Sequence, residues 1–540
     1  MASITLQRVG KYTYLYESVS YWDSLKKRSD NHKTRIGKLD LLTGEPVYSQ
    51  EYLDRLASAG RPVEGLGLWG KGKPATGVAA RAVEPTRVAS CGCAFTLMRL
   101  AEAIGLRAAL EGALPGRSAQ VLAAAFYMLC EGNVMMYLED WFDETDVRFA
   151  GRMDDRQRGR LFASVTHDER MRFLREWAKA RHEREHIAYD VTSVSTTSKG
   201  IDIAEWGYNR DGEDLPQVNL GMFYGAESQL PVYYSLYSGS ITDKSHLPFM
   251  MESASKLGIG RVRFVLDRGF VTEGNLKHMG REGHLFITAF PQGLLEGRRL
   301  IDMCRGGIRR AANRIGEFGV YGQPVEVELY GSKLNAHVYF DAEKQALDER
   351  ELYAHIERLE GELKKLGRAK RATRRHTDYF VVEEGNAGGL KFRQDGKKID
   401  DRLGRAGFFV LLTNDLGLGS GEVLGIYRRR DAIEKNFDQL KNDLDFRRLR
   451  THANKTTDGK VFVGFLALAL RSAMMKRLKE SRALKGLTLE KALLELKKIK
   501  SVAYGDSSRA VMPLTKLQRD ILEAMGTSEV ELRPLMEVAE

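Results

Sequence analysis

The stretch from Ile187 to Phe290 constrains the fold more than any other part of the chain. Ile187 to Ser195 is a β-branched run, and Val218 to Tyr224 and Pro231 to Tyr237 read as two strands joined by the turn Gly225-Ala226-Glu227-Ser228. Pro248 to Leu257 has helical spacing. Arg261 to Leu266 then reads as a short buried strand closed by Asp267-Arg268-Gly269, followed by a helix near Thr272 to Gly283 and a strand at Leu285 to Phe290. The order β-β-β-α-β-α-β predicts an α/β sheet with a leading meander.

Such a sheet accounts for only part of 540 residues, and single cores stop growing at about 250 to 300 residues. Attachments are therefore expected. Residues 1–57 read as a small β-rich module made basic by Lys26, Lys27, Arg28, Lys33, Arg35 and Lys38. Residues 58–93 are rich in Gly, Ala and Pro and read as a linker. Within it Gly65-Leu66-Gly67-Leu68-Trp69-Gly70 matches GxGxxG, but no strand pattern precedes it and Pro74 falls where a helix should open. Residues 94–185 have helical apolar spacing. Residues 291–406 interrupt the α/β pattern with β-like runs and a long helix from about Ala342 to Leu366. The sheet pattern resumes over 407–480, with a strand at Phe408 to Thr413, a helix from Val423 to about Phe446 and an apolar helix from Val461 to Met475. Residues 481–540 read as a helical C-terminal region.

With 43% hydrophobic and 29% charged residues, the chain is neither disordered nor membrane-like. Its first residues lack an apolar run of signal-peptide length, and the longest apolar run, Val461 to Leu470, is too short for a bilayer that needs about 20 residues. Four cysteines cannot frame a disulfide fold of this size, and Cys91-Gly92-Cys93 lacks a second pair at zinc-site spacing, which fits a cytoplasmic protein. An excess of Lys+Arg over Asp+Glu (84 − 73 = +11) suits a polyanionic partner.

The chemistry concentrates on three elements. On the helix from Val423, Tyr427, Arg430, Glu434 and Lys441 sit at offsets 0, 3, 7 and 14, an arc of roughly 60° at 100° per residue. Asp438 lies at the edge of that stripe, and Ile433, Phe437, Leu440 and Leu444 form an apolar stripe beside it. Taken alone, the charges are better read as those of an exposed amphipathic helix. Asp190 ends the run Ile187-Ala188-Tyr189, and Asp267 closes Phe264-Val265-Leu266 before a Gly turn. An Asp after a strand is also a common turn residue. The conjunction is specific, because two strand acids and a helix acid can converge into a hard oxygen site for Mg²⁺ or Mn²⁺.

Here the sequence resembles the insertion-sequence transposases of the DDE type, in the group whose signature is Tyr, two residues, Arg, three residues, Glu, six residues, Lys. Tyr427, Arg430, Glu434 and Lys441 meet every spacing. Asp267-Arg268-Gly269-Phe270, Tyr189-Asp190-Val191-Thr192-Ser193 and the apolar helix after Leu449-Arg450-Thr451-His452 also look like that group, over roughly residues 95 to 480. The resemblance implies a ribonuclease H-like core whose first part is 186–290 and second part 407–480, split by a β-rich insertion at 291–406. It implies Asp190, Asp267 and Glu434 as the catalytic and metal-binding triad for two Mg²⁺ (or Mn²⁺) ions, with Tyr427, Arg430 and Lys441 on phosphates. Double-stranded DNA, as element ends and target, and a homodimer bridging two ends follow from the same resemblance, as does a DNA-associated location.

A second basic feature follows the long helix: Lys364, Lys365, Arg368, Lys370, Arg371, Arg374 and Arg375 occur without an intervening acid, as a solvated helix end or a DNA contact. The N-terminal module is a candidate for recognising element ends, or a structural cap. All five Trp residues precede the insertion, so a base flipped there would have to stack on Tyr379 or Phe380. Two competing functions stay open: a ribonuclease H-like nuclease or a domesticated DNA-binding derivative without strand transfer, and, remotely, a zinc metalloprotease through His182-Glu183-Arg184-Glu185-His186. Against the protease, the helix has to end at His186, where the Ile187 strand begins.

Overall fold

The computed structural model describes the chain apart from residues 1, 11, 24–26, 42–44, 61–66, 69–86, 180–185, 257, 259–260, 367–371, 385–389, 431–440, 443, 505–507 and 533–540. It divides into two units, Met1–Pro85 and Thr86–Glu540.

In the first unit, β1 (Ala2–Val9), β2 (Tyr12–Asp23), β3 (Arg28–Leu39), β4 (Pro46–Tyr48) and β5 (Gly67–Leu68) form one sheet in chain order, antiparallel up to β4. The helix Gln50–Ser58, capped by the Ser49 hydroxyl, lays Tyr52 and Leu53 on Leu15, Ile36 and Tyr48. The basic side chains Lys33 and Arg35 lie on the exposed part of β3.

The second unit opens with a strand, β6 (Arg87–Ser90), where linker was expected. A set of helices follows, from Gly92–Ala103 to His167–Lys179. They wrap the helix Asn454–Glu480, which is apolar and buried all round from Val461 to Leu470. That helix approaches its neighbours closely: a Cβ at Gly464 would stand 2.4 Å from the Phe446 ring, so only glycine fits. Phe173 packs edge-on to Phe462 at 5.2 Å between centroids. Among the described residues no single helix is long and apolar enough to cross a membrane.

The main sheet holds β7 (His186–Ser195), β8 (Gln217–Gly225), β9 (Pro231–Ser238), β10 (Arg263–Leu266) and β11 (Leu285–Phe290). Their spatial order is β9-β8-β7-β10-β11; the first three pair antiparallel, while β7-β10 and β10-β11 pair parallel. Helices Asp243–Lys256 and Glu273–Arg281 make the two crossovers. A meander followed by two parallel strands in this order is a ribonuclease H-like core.

The insertion divides in two. β12 (Arg314–Ile315), β13 (Val320–Leu329) and β14 (Ser332–Phe340) continue the same sheet through β17 (Phe408–Thr413), giving nine strands in the order β12-β13-β14-β17-β11-β10-β7-β8-β9. β17 reads FFVLLT, is mostly buried, and takes β11 and β14 as neighbours on its two edges. The other part is a satellite: the helix Ala342–Lys365, the hairpin β15 (Phe380–Glu384) and β16 (Leu390–Gln394), and the helix Gly396–Leu403. They enclose a separate core of Ile356, Leu359, Leu363, Tyr379, Phe380 and Ile399.

The C-terminal region is not purely helical, contrary to expectation. β18 (Lys500–Tyr504) pairs with β19 (Ser508–Val511) and also with β6. Its Lys-rich surroundings hide a strand whose partner lies some four hundred residues earlier.

Candidate active site

The site begins with a mismatch of strand lengths. β7 has ten residues and β10 only four, and their parallel ladder runs from His186↔Arg263 to Ala188↔Val265. Two further residues along that register bring Asp267 beside Asp190. Asp190 does not end its strand as the sequence suggested; it lies in the middle of β7, and it reaches a cleft because the neighbouring strand stops. Asp267 follows β10 in extended geometry (φ −75°, ψ 161°) and leads into a 3₁₀ turn, Arg268–Phe270. Both aspartates line one cleft of about 460 Å³. The Asp190 carboxylate accepts a hydrogen bond from the Val191 amide at 2.8 Å. Next to it in the chain, buried Tyr189 packs at a tilt against Phe270, with ring centroids 4.9 Å apart, in space left by Gly221, where a Cβ would stand 2.9 Å from the Tyr189 hydroxyl.

The signature residues arrive from the second part of the core. The helix Ser420–Arg429 carries Tyr427 and leads directly into Arg430. Arg430 is buried, lies over the Tyr427 ring at 5.3 Å, and has a guanidinium nitrogen 3.9 Å from an Asp267 oxygen. Glu434 and Asp438 lie outside the described residues. Lys441 also lines the cleft, and its Nζ donates to Asp211 at 2.7 Å. The chain then runs along the edge of β7 that β10 leaves open. Ser195 N donates to Arg447 O at 3.0 Å and Leu449 N to Ser195 O at 3.1 Å. Buried Lys460 fixes this crossing by donating to Leu449 O at 3.1 Å, and burial lowers its pKa to about 7.

Three further charged residues line the cleft that sequence reasoning missed: Arg210, Asp211 and Asp243. Asp243 accepts from the Tyr237 hydroxyl at 2.8 Å and from the Arg210 guanidinium. Burial first, then Tyr189 and Asp243, push the Tyr237 pKa up, and His246, stacked on Tyr237 at 3.7 Å, is lowered to about 4 by burial. The only signal in the sequence was the turn-forming run Asn209-Arg210-Asp211-Gly212, which shows a turn but not where it docks.

The other predicted cations that the structure describes lie elsewhere, on the satellite. Lys364 pairs with Glu360 at 2.6 Å and Arg375 with Glu362 at 2.7 Å; Lys365 ends its helix and Arg374 opens a short one. Acids of the preceding helix thus meet a block that contains none. Arg368, Lys370 and Arg371 lie outside the described residues. Tyr379 and Phe380, suggested as base-stacking residues, are core side chains of the satellite, and Tyr379 is further held by Arg402, whose guanidinium lies 4.3 Å from its ring centre. Of the HExxH segment only His186 is described; its Nδ1 faces Glu227 at 3.1 Å.

No three His, Cys, Asp or Glu side chains among the described residues form a ready-made metal cluster. Among the described residues, the polar side chains that line the cleft are carboxylates, a threonine hydroxyl and cationic nitrogens, with no His or Cys, a donor chemistry that suits Mg²⁺ or Mn²⁺ over zinc.

A family model described as "Transposase DDE domain" matches residues 181–470, which span β7 to the Asn454–Glu480 helix. No curated protein matches the chain. Among solved structures, a cryo-EM structure of the piggyBac transposase synaptic complex with hairpin DNA is similar at 11% identity and a TM-score of 0.33, covering 82% of this chain and 81% of that one, a likeness too slight to bear on function.

Proposed function

Because the chain belongs to the transposase DDE domain family, we propose that it is a DNA transposase of an insertion sequence, of the Tyr-Arg-Glu-Lys group, that cuts at the ends of its element and joins the 3′-hydroxyl ends to target DNA. The observation that carries this reading is the meeting of Asp190 and Asp267 at one cleft, with Arg430 and Lys441 brought in from the second part of the core.

Asp190 and Asp267, with Glu434, would hold two Mg²⁺ (or Mn²⁺) ions. Such ions, when bound, supply charge neutralisation at the attacked phosphodiester and polarise the attacking and leaving oxygens of an in-line displacement. The chain's own residues do the rest. Asp211 and Asp243 are each neutralised by a cation, Lys441 and Arg210, so they add little net negative charge against an incoming phosphate. Arg430, lodged between the Tyr427 ring and Asp267, presents a planar fork suited to a phosphate beside the cut. The exposed cations Lys364, Lys365, Arg374 and Arg375 would hold backbone further along the duplex, since surface ion pairs contribute only about 0 to 1 kcal/mol and exchange readily for phosphate. A homodimer bridging two element ends completes the reading.

Incubating the purified protein with DNA flanking its own reading frame, with and without Mg²⁺, and sequencing the products tests it. Metal-dependent cuts at element ends with joined products are expected. Scattered nicks would indicate a simple nuclease, and binding without cutting a DNA-binding derivative.

A further inference from the structure

Lys441 is not built as an open phosphate clamp. It is only 7% exposed, and its ammonium is engaged by the Asp211 carboxylate at 2.7 Å. That carboxylate belongs to the loop between β7 and β8, and the loop is pinned to β7 by side-chain hydrogen bonds. Arg210 N donates to Ser193 Oγ at 3.2 Å, Asn209 Nδ2 to Ser195 Oγ at 3.0 Å, and Asp211 N to Asn209 Oδ1 at 2.8 Å. The Arg210 guanidinium ties the same turn to Asp243. Ser193 and Ser195 lie on the strand that carries Asp190, so the Asp211 carboxylate is held in register with Asp190. An ammonium has three N–H bonds; Asp211 takes one and two remain for a phosphate oxygen.

We propose that Asp211 is a positioning residue that acts through Lys441, holding the ammonium beside the Asp190 and Asp267 carboxylates so that it meets a DNA phosphate in a fixed place. This rests on the transposase reading, and it assigns Asp211 no contact with DNA or metal. A flexible lysine left to itself has four rotatable bonds to freeze; anchoring it before DNA arrives removes that cost from the reacting complex.

The test compares wild type, Asp211→Asn, Lys441→Gln and the double variant on end DNA. Binding is measured in EDTA, and single-turnover cleavage in Mg²⁺ at saturating protein. Asp211→Asn is expected to bind within about twofold of wild type and to cut on the order of tenfold slower, a loss of positioning without loss of affinity. Its Mg²⁺ midpoint should not move. Lys441→Gln should lose both binding and rate, and the double variant should cut no more slowly than Lys441→Gln alone. Wild-type cutting by Asp211→Asn overturns the proposal, as does a double variant slowed by the product of the two single effects, or a shifted Mg²⁺ midpoint. Should Asp211→Asn melt early, Asp211→Glu keeps the charge and moves the carboxylate by one methylene; an intermediate rate supports the proposal and a wild-type rate overturns it. If wild-type protein itself fails to cut end DNA in Mg²⁺, the transposase reading fails and not this refinement of it.

Discussion

The two sides of β11 are built differently. Toward β7 the sheet is parallel and uneven: four-residue β10 stops beside ten-residue β7, and the edge it leaves open exposes Asp190 to a cleft. Toward β13 it is antiparallel and matched: β13 and β14 stay in register from Tyr321↔Phe340 to Leu329↔Ser332, and β14 pairs with β17 along the whole of that strand. The even side buries His337 and Tyr339 in a continuous ladder. The difference teaches that, in this molecule, the place where a ladder runs out is where charged groups gather. Changes to the charged groups at the uneven edge should therefore alter chemistry with little effect on stability, whereas changes on the even side should cost stability and leave the chemistry alone.

The largest expected effect is on the uneven side. Asp267→Asn should lower cleavage of end DNA by roughly a thousandfold or more, of the order seen when a central catalytic group is removed, with the melting temperature little changed. Loss of stability in place of rate would break the contrast. A pair of glycines tests it next. At Gly221 a Cβ would meet the Tyr189 hydroxyl at 2.9 Å, and at Gly322 it would meet Ile315 at 2.8 Å and the Tyr339 ring at 3.0 Å. Overpacking by Ala should cost about 1 to 3 kcal/mol at either position in denaturant titrations. Only Gly221→Ala, which displaces the side chain next to Asp190, should also slow cleavage.

How much of this was legible in the sequence depends on how local each signal is. The strands of the core and the helix Ala342–Lys365 could be read because β-branched or helical periodicity is a local property. The signature spacing likewise grouped Arg430 and Lys441, which the structure brings to the two aspartates. Asp190 was placed on the first core strand but misread as its end, because the stopping point of β10 is a property of the neighbouring strand. Arg210, Asp211 and Asp243 were invisible because only tertiary contacts, with Ser193, Tyr237 and Lys441, distinguish them from ordinary loop charges. β18 was lost in part for the same reason, since β6, one of its two partners, is remote in sequence.

Smaller effects sharpen the even side. Buried His337, hydrogen-bonded through Nδ1 to Ser420 at 2.9 Å, has its pKa lowered from 6.5 to about 4 by burial. The unfolded chain therefore takes up a proton that the folded one refuses between these values. Stability from this group is complete above about pH 6.5 and is lost as pH falls toward 4. His246, also lowered to about 4, adds to the same window. In denaturation curves from pH 7 to 4, His337→Leu should flatten the acid loss in part and leave neutral-pH cleavage unchanged; an unaltered slope would count against the assignment. Smallest of all, Lys364→Ala or Arg375→Ala should change stability by less than about 1 kcal/mol. Each should reduce the salt dependence of DNA binding by about one phosphate contact.

Asp190, a mid-strand acid that a short neighbouring strand leaves open to the cleft, is the residue on which the proposed transposase reading most depends. Its most direct test is single-turnover cleavage of end DNA in Mg²⁺ by Asp190→Asn at saturating protein, with bound and cut DNA counted in the same reaction. The account predicts DNA that is bound as by wild type and left uncut. DNA that is bound and cut at a rate near wild type would contradict it.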